Sequence, residues 1–475
     1  MEMSDTTIAA VATPPGTGGI AVIRLSGTDA VRIFCKVWKG SDPTRWKSHT
    51  VHLGNIFDPA TGSHVDEVVA TLFRAPASYT GEDTIEISCH GSALIQNQIT
   101  AALIKAGATA AGPGEFTRRA FLNGLIDLAQ AEAIADLIAA ESKGAHDLAL
   151  SQTKGEFSKA LATLRDRLLN LASLLELELD FSEEDVEFAD RTALASTAAD
   201  ILAAVDRLTA SYEAGQAFRQ GIAIAIAGTP NTGKSTLLNY LAHDDKAIVS
   251  DIPGTTRDTI EAEAEYHGLK FRFIDTAGLR ETTDKIENLG INRAIERLRS
   301  ANYVFWLIDP TQPIEPQTAL LRHHLDASPE ITSRLYILAS KADALPSPTA
   351  PCSESIPTTD IDCGETSGIG DLPARQISSR TGLGIDGLLS EIARRSTASL
   401  DPARDTLIAN ARHFQALTHA ADSLRHLTDA MTAGLPADLL AQHLRETLHH
   451  LGAITGAITT PDILTSIFTR FCIGK

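Results

Sequence analysis

Over the first 118 residues the apolar side chains come in short β-rich runs, IAVIRL, EVVATLF and TIEISC. Glycine turns separate them, with one stretch of helical spacing near 92–106. That texture predicts an α+β domain over 1–118. From FTRRAFLNGLIDLAQAEAIADLIAAES onward, alanine and leucine recur at helical spacing, predicting the first half of a helical domain over 119–214. Strand patterns then return as IAIAIA at 222–227, LKFRFI at 269–274, YVFWLI at 303–308 and LYILA at 335–339. Helical segments separate them, so 215–388 reads as a parallel α/β domain. Residues 389–475 are helical again. The simplest arrangement is one helical domain in two sequence-distant halves with the α/β domain inserted between them, which neighbouring termini permit.

One stretch breaks the pattern. Residues 344–374 contain no Lys or Arg and are rich in Pro, Ser and Thr, so they read as a flexible surface insertion. Cys352 and Cys363 lie on it without an evident role. With Cys35, Cys89 and Cys472 they form no C-x-x-C pair and no zinc spacing. No apolar run approaches the roughly 18 residues of a membrane span, and the acidic start MEMSDTT is no secretory signal. A reduced cytoplasm is the expected setting. The net charge of −19 argues against coating nucleic acid by bulk electrostatics. The charge is uneven: residues 171–190 hold eight acids and no base, while 1–120 are near neutral. Any nucleic-acid contact must be local or shared with a partner.

The chemistry begins at GTPNTGKS, Gly228 to Ser235, which follows IAIAIA and matches G-x-x-x-x-G-K-[ST]. Backbone N–H groups of such a loop surround phosphates, Lys234 reaches the β- and γ-phosphates, and the Ser235 hydroxyl ligates magnesium. Three further motifs follow in order at strand ends, where α/β sheets bind ligands. GTTRD, Gly254 to Asp258, would supply a switch threonine to magnesium. DTAG would hold magnesium through Asp275 and touch the γ-phosphate through Gly278. SKAD, Ser340 to Asp343, resembles the N-K-x-D motif, in which Asp343 accepts guanine N–H groups that adenine cannot match. SSRTG, from Ser378, resembles the loop that closes over the base. GTP is therefore the expected nucleotide. Ser340 stands where N-K-x-D has an asparagine that contacts guanine and braces the P-loop.

Ras-like proteins place a water-positioning glutamine after D-T-A-G. Here that position is Leu279, which cannot act. Arg280, Glu281, Asp284 and Glu287 are the polar candidates on the following segment.

At this point the chain resembles a family of tRNA-uridine modification GTPases, MnmE (TrmE). These carry G-x-P-N-x-G-K-S, G-T-T-R-D, D-T-A-G-[LI]-R and a C-terminal C-[IL]-G-K, and all four stand here. The start TIAAVATPPGTGGIAVIRLSG, YTGEDTIEISCHG and PGEFTRRAFLNGLIDLAQAEAIADLI are also similar to that family. The resemblance implies a multidomain fold: an N-terminal α+β folate-binding-like and dimerisation domain, an α-helical domain, and an inserted α/β P-loop GTPase (Ras-like) domain. It also implies a potassium ion held by the Asn231 side chain, the carbonyls of Ser250 and Ile252 and the Thr255 hydroxyl. Magnesium would be held by Ser235 and Thr256, and Glu287 would orient the attacking water. The GTP-contacting segments it implies begin with Asn231, Thr232, Gly233, Lys234, Ser235 and Thr236. The loop Ser250, Asp251, Ile252, Pro253, Gly254, Thr255, Thr256 follows, then Asp275, Thr276, Ala277, Gly278. On the base side stand Lys341, Asp343, Ser378, Ser379 and Arg380.

For the N-terminal domain the resemblance implies a one-carbon donor, 5-formyl- or 5,10-methylene-tetrahydrofolate, contacted by Arg24, Glu86 and Lys475. A further basic family contact falls at Leu125. Cys472 would stand near the donor, either as a thiolate nucleophile or as a residue that orders the tail. The implied function is addition of a carboxymethylaminomethyl or aminomethyl group to carbon 5 of the wobble uridine of certain tRNAs. A homodimer would act with the FAD-dependent partner MnmG (GidA) in a heterotetramer. Two rivals differ in class. A ribosome-assembly GTPase of the Era/Der type shares the motifs but ends in a basic RNA-binding module, unlike this chain. A membrane-remodelling GTPase would need a lipid-facing segment that the sequence lacks.

Overall fold

The computed structural model describes residues 6–180, 191–243, 261–275, 295–344, 366–369, 372–398, 400–469, 471 and 473–474. They form two compact units. One comprises Met1–Ile138, Gln152–Val205 and Gln415–Lys475, and the other Ala139–Ser151 and Asp206–Phe414.

The first unit carries a seven-stranded sheet of β1 (Ile8–Val11), β2 (Ile20–Ser26), β3 (Trp38–Lys39), β4 (Thr50–Phe57), β5 (His64–Phe73), β6 (Thr84–His90) and β7 (Thr109–Ala110). Their spatial order is β3-β4-β5-β6-β2-β1-β7. Pairing is antiparallel except for β1 with β7. Period-2 alternation sends Ile23, Leu25, Ile85 and Ile87 to one face, where they pack with residues of helices Ala30–Val37 and Ala93–Ala106. Arg24 and Glu86 are directly opposite in the β2/β6 register, so they share the other face. In the same unit helix Glu156–Asp180 packs against helix Ala437–Thr455, joining segments far apart in sequence. Leu128 and Ala131 pack with Leu464, Ile467, Phe468 and Phe471, which seats the C-terminal turn in an apolar cluster.

The second unit is built on β8 (Ile222–Gly228), β9 (Glu261–Tyr266), β10 (Leu269–Asp275), β11 (Tyr303–Ile308), β12 (Leu335–Ala339), β13 (Thr366–Ile369) and β14 (Leu372–Gln376). Their order is β13-β14-β12-β11-β8-β10-β9. The five inner strands are parallel, and β9 and β13 are antiparallel edges. Every residue of β8 is buried, as a central strand covered on both faces requires. Its isoleucines 222, 224 and 226 enter one core with Phe271, Phe273 and Phe305. Ala225 and Ala227 enter the other with Val304 and Trp306.

Two features differ from the sequence expectation. EAEAEY forms β9, paired along β10 from Leu269↔Tyr266 to Ile274↔Glu261. Its alternating Ala and Glu carry no β-branched side chains, so pairing with β10 rather than intrinsic preference makes it a strand. In the stretch 344–374, expected to be a flexible insertion, the described residues after 365 form β13 and the start of β14, and β14 extends the parallel sheet beside β12. Cys352 and Cys363 lie outside the described residues. Among the described residues no helix is long and apolar enough to cross a membrane.

Candidate functional site

The phosphate loop leaves the carboxyl end of β8. Gly228 has φ +138, and a side chain there would collide with the Leu307 carbonyl oxygen, so the strand can end in this turn only without a Cβ. Asn231 takes a left-handed φ of +66, which asparagine tolerates better than most residues. Its side chain is exposed at the turn. Buried Thr232 donates its hydroxyl to the Thr229 carbonyl at 2.8 Å. The helix Lys234–His243 then begins, with Ser235 and Thr236 exposed in its first turn. Its unpaired N–H groups and dipole make this end a site for anions.

Lys234 folds back on the loop, donating from Nζ to the carbonyls of Gly228 and Thr229, each at 2.8 Å. Burial pushes its pKa below the usual lysine value, and the Asp275 carboxylate opposes that shift. Asp275 ends β10 and is 7 % exposed. Lys234 and the Ser235 hydroxyl thus stand at the start of one helix, with the Asp275 carboxylate at the end of β10 close enough to act on the lysine, a donor set that suits a phosphate chain with its divalent ion. Thr276, Ala277, Gly278 and the loop Ser250, Asp251, Ile252, Pro253, Gly254, Thr255, Thr256 lie outside the described residues, as does Glu287.

The base side is built where β12 ends. Ser340 is 2 % exposed and donates its hydroxyl to the Thr232 carbonyl at 2.7 Å, with the Ile308 carbonyl further away at 3.2 Å. The serine thus braces the phosphate loop, although it is shorter than the asparagine of N-K-x-D. Asp343 lies on a short turn, Ala342–Ala344. Its Oδ1 accepts the Ser378 hydroxyl at 2.7 Å, and Arg380 Nη1 stands 3.8 Å from Oδ2. The Ser378 hydrogen bond holds this carboxyl below the usual range against slight desolvation, leaving an ionised acceptor. Ser378 Oγ in turn accepts the N–H groups of Arg380 and Thr381, each at 3.3 Å. Ser379 lies between Ser378 and Arg380 in the same turn.

Sequence reasoning missed Asp309, directly after β11. Its Oδ2 receives the Lys341 ammonium at 2.6 Å, and its side chain is 1 % exposed. Its position at the carboxyl end of a parallel strand is the signal that could have found it.

A second constellation lies in the first unit. Arg24 donates from Nε at 3.0 Å and from Nη2 at 2.8 Å to one oxygen of Glu86. The Arg24 guanidinium stands 4.8 Å from the Tyr79 ring centre and 5.5 Å from that of Phe116. An ion pair set among aromatic rings suits a flat heterocycle with polar edges. Leu125, 43 % exposed, offers no charge. The tail reaches this sheet: Ile473 bridges Pro113, and Gly474 (φ +97) packs so closely on Val11 that a side chain would strike the Val11 carbonyl. Val11 follows Ala10, the β1 partner of Arg24. Cys472 and Lys475 lie outside the described residues.

Comparison with known proteins finds matches over nearly the whole chain. A family model described as the MnmE helical domain matches residues 128–472, and one described as the GTP-binding protein TrmE N-terminus matches 7–125. The tRNA modification GTPase MnmE of Parabacteroides distasonis is 45% identical over 99% of this chain and 100% of its own. Those of Salinibacter ruber and Christiangramia forsetii are 44% and 43% identical over the whole of both chains. Among solved structures, Aquifex aeolicus Era bound to GDP.AlF4- is 21% identical over 42% of this chain and 66% of that one. Its TM-score is 0.26, too loose a likeness to add to the assignment. With family models over both ends and full-length relatives at 43–45% identity, the chain belongs to the MnmE (TrmE) family of tRNA modification GTPases.

Proposed function

We propose that this GTP hydrolase is potassium-dependent. With an FAD-dependent partner of the MnmG (GidA) type, it would add a carboxymethylaminomethyl or aminomethyl group to carbon 5 of the wobble uridine of certain tRNAs. In this reading residues 1–118 bind folate and dimerise, 119–214 and 389–475 form the helical domain, and 215–388 hydrolyse GTP. The observation that supports it is the docking of the tail: Ile473 bridges Pro113 and Gly474 packs on Val11 of β1, the strand that pairs with the β2 strand of Arg24.

At the nucleotide, Lys234 would exchange its two loop carbonyls for the β- and γ-phosphate oxygens, regaining charged partners for a half-buried ammonium. Asp343, already ionised, would accept the guanine N–H groups. Thr232, fixed by Ser340, would hold the loop N–H groups toward the phosphates. Glu287 would orient the water that attacks the γ-phosphorus, releasing GDP and inorganic phosphate. Ser235 and Thr256 would hold magnesium, and Asn231, Ser250, Ile252 and Thr255 potassium; together these ions would neutralise charge on the phosphates. Asn231 is exposed, as a ligand to an entering ion must be. At the other site Arg24 and Glu86, with Lys475, would hold a 5-formyl- or 5,10-methylene-tetrahydrofolate as the one-carbon donor. Cys472 would serve there either as a nucleophile or in ordering the tail.

Mass spectrometry of wobble nucleosides tests the reading. A strain lacking this protein should lose the C5 substituent and regain it with the wild-type chain. Normal wobble uridines in the deletion strain would reject it.

A further inference from the structure

We propose that Asp309 is a positioning residue for guanine recognition: anchored in the sheet, it fixes Lys341 so that the lysine can receive the base. The inference rests on the reading that Lys341 and Asp343 form the base side of the GTP site.

Both oxygens of the carboxylate are engaged. Oδ1 accepts the Thr311 N–H at 3.0 Å and the Thr311 hydroxyl at 2.6 Å, while Oδ2 accepts Lys341 Nζ at 2.6 Å. Its backbone is pinned as well. Buried Gln317 accepts the Asp309 N–H at 2.9 Å and donates to the Asp309 carbonyl and the Pro313 carbonyl, each at 3.0 Å. The same Gln317 Oε1 stands 3.5 Å from the Thr229 hydroxyl of the phosphate loop. Burial would raise the Asp309 carboxyl, but hydrogen bonds from Lys341 and Thr311 outweigh it and hold it low, so the group is an anion.

Lys341 is unusual at its other end. Its φ is +58, in the left-handed region that an L residue with a long side chain seldom occupies. It follows Ser340, locked to the phosphate loop, and precedes Asp343 by two residues. With the backbone set by those neighbours and the ammonium set by Asp309, the four-carbon stem is held at both ends. A free lysine stem would lose rotamer freedom on meeting a purine face. This one has already lost it, so the anchoring lowers the cost of binding. Because the base is common to GTP and GDP, the effect falls on binding of both and not on the chemical step.

The experiment is a double-mutant cycle on the full chain, read by calorimetric titration of GDP and by GTP turnover. Lys341→Met should weaken GDP binding. Asp309→Asn should weaken GDP and GTP binding alike by about tenfold, the scale of a charged hydrogen bond, with kcat unchanged. In the Lys341→Met background, Asp309→Asn should have no further effect. Equal losses with and without Lys341 would make Asp309 a structural residue of β11 and overturn the proposal, as would unchanged GDP binding in Asp309→Asn. Unchanged GDP binding in Lys341→Met would overturn the base-side reading itself, and the proposal with it. If Asp309→Asn does not fold, Thr311→Val, which removes one donor to the same carboxylate, replaces it with a smaller loss and the same cycle.

Discussion

The Ser340 hydroxyl donates to the Thr232 carbonyl across 108 residues of sequence, tying the end of β12 to the phosphate loop. Ser340→Ala would leave that buried carbonyl without its donor, at a cost of about 1–3 kcal/mol. GDP and GTP affinity should both fall, with a lower melting temperature. Ser340→Asn, which can also reach the base, should bind GDP more tightly than the wild type. Titration calorimetry decides both, and an alanine variant with native affinity would show that the loop needs no brace.

Potassium dependence can be tested at Asn231 without straining the loop. Its φ of +66 suits glycine, whereas alanine would add a backbone cost of roughly 1–2 kcal/mol. Asn231→Gly should therefore keep nucleotide affinity while losing the stimulation of turnover by potassium over sodium. Equal turnover of the wild type in the two ions would reject the cation cage.

Glu287→Ala should slow GTP turnover strongly with GDP affinity nearly unchanged, because the proposed role is on the attacking water. A raised dissociation constant with unchanged kcat would assign the residue to binding.

The tail has its own test. Gly474 combines φ +97 with close approach to the Val11 carbonyl, so Gly474→Ala should undock the last residues. Wobble-uridine modification should fall while GTP turnover stays. Cys472→Ser then separates the two roles open to the thiol: near-complete loss marks a nucleophile, and partial activity marks a residue that orders the tail. Normal modification in Gly474→Ala would mean that tail docking is not required.

The pH response of base recognition follows from Asp343. The Ser378 hydroxyl favours its ionised form, so the folded carboxyl lies below the ordinary value of 3.8. The anionic acceptor is therefore present above that range and lost only as pH falls through the lowered value. Preference for GTP over ITP, which lacks the amino group, should stay flat from about pH 8 to about pH 5. A decline near pH 6 would contradict an ionised Asp343.

The phosphate loop was legible in the sequence because its determinants are local. Glycine, left-handed asparagine and lysine act within eight residues, between a fully apolar strand and a helix. The parallel sheet was legible for a similar reason, since strands buried on both faces are apolar throughout. The tertiary structure decided what depends on pairing at a distance. Arg24 meets Glu86 only through the β2/β6 register, and a slip of one residue would put them on opposite faces. EAEAEY and the hairpin after residue 365 become strands because neighbouring edges offer unpaired N–H and C=O groups, which no local propensity records. The contacts of Asp309 with Lys341 and Ser340 with Thr232 join segments that follow the carboxyl ends of different strands of one sheet. A single chain read in order shows which groups such ends carry. Sheet order and hydrogen-bond geometry determine which of them touch.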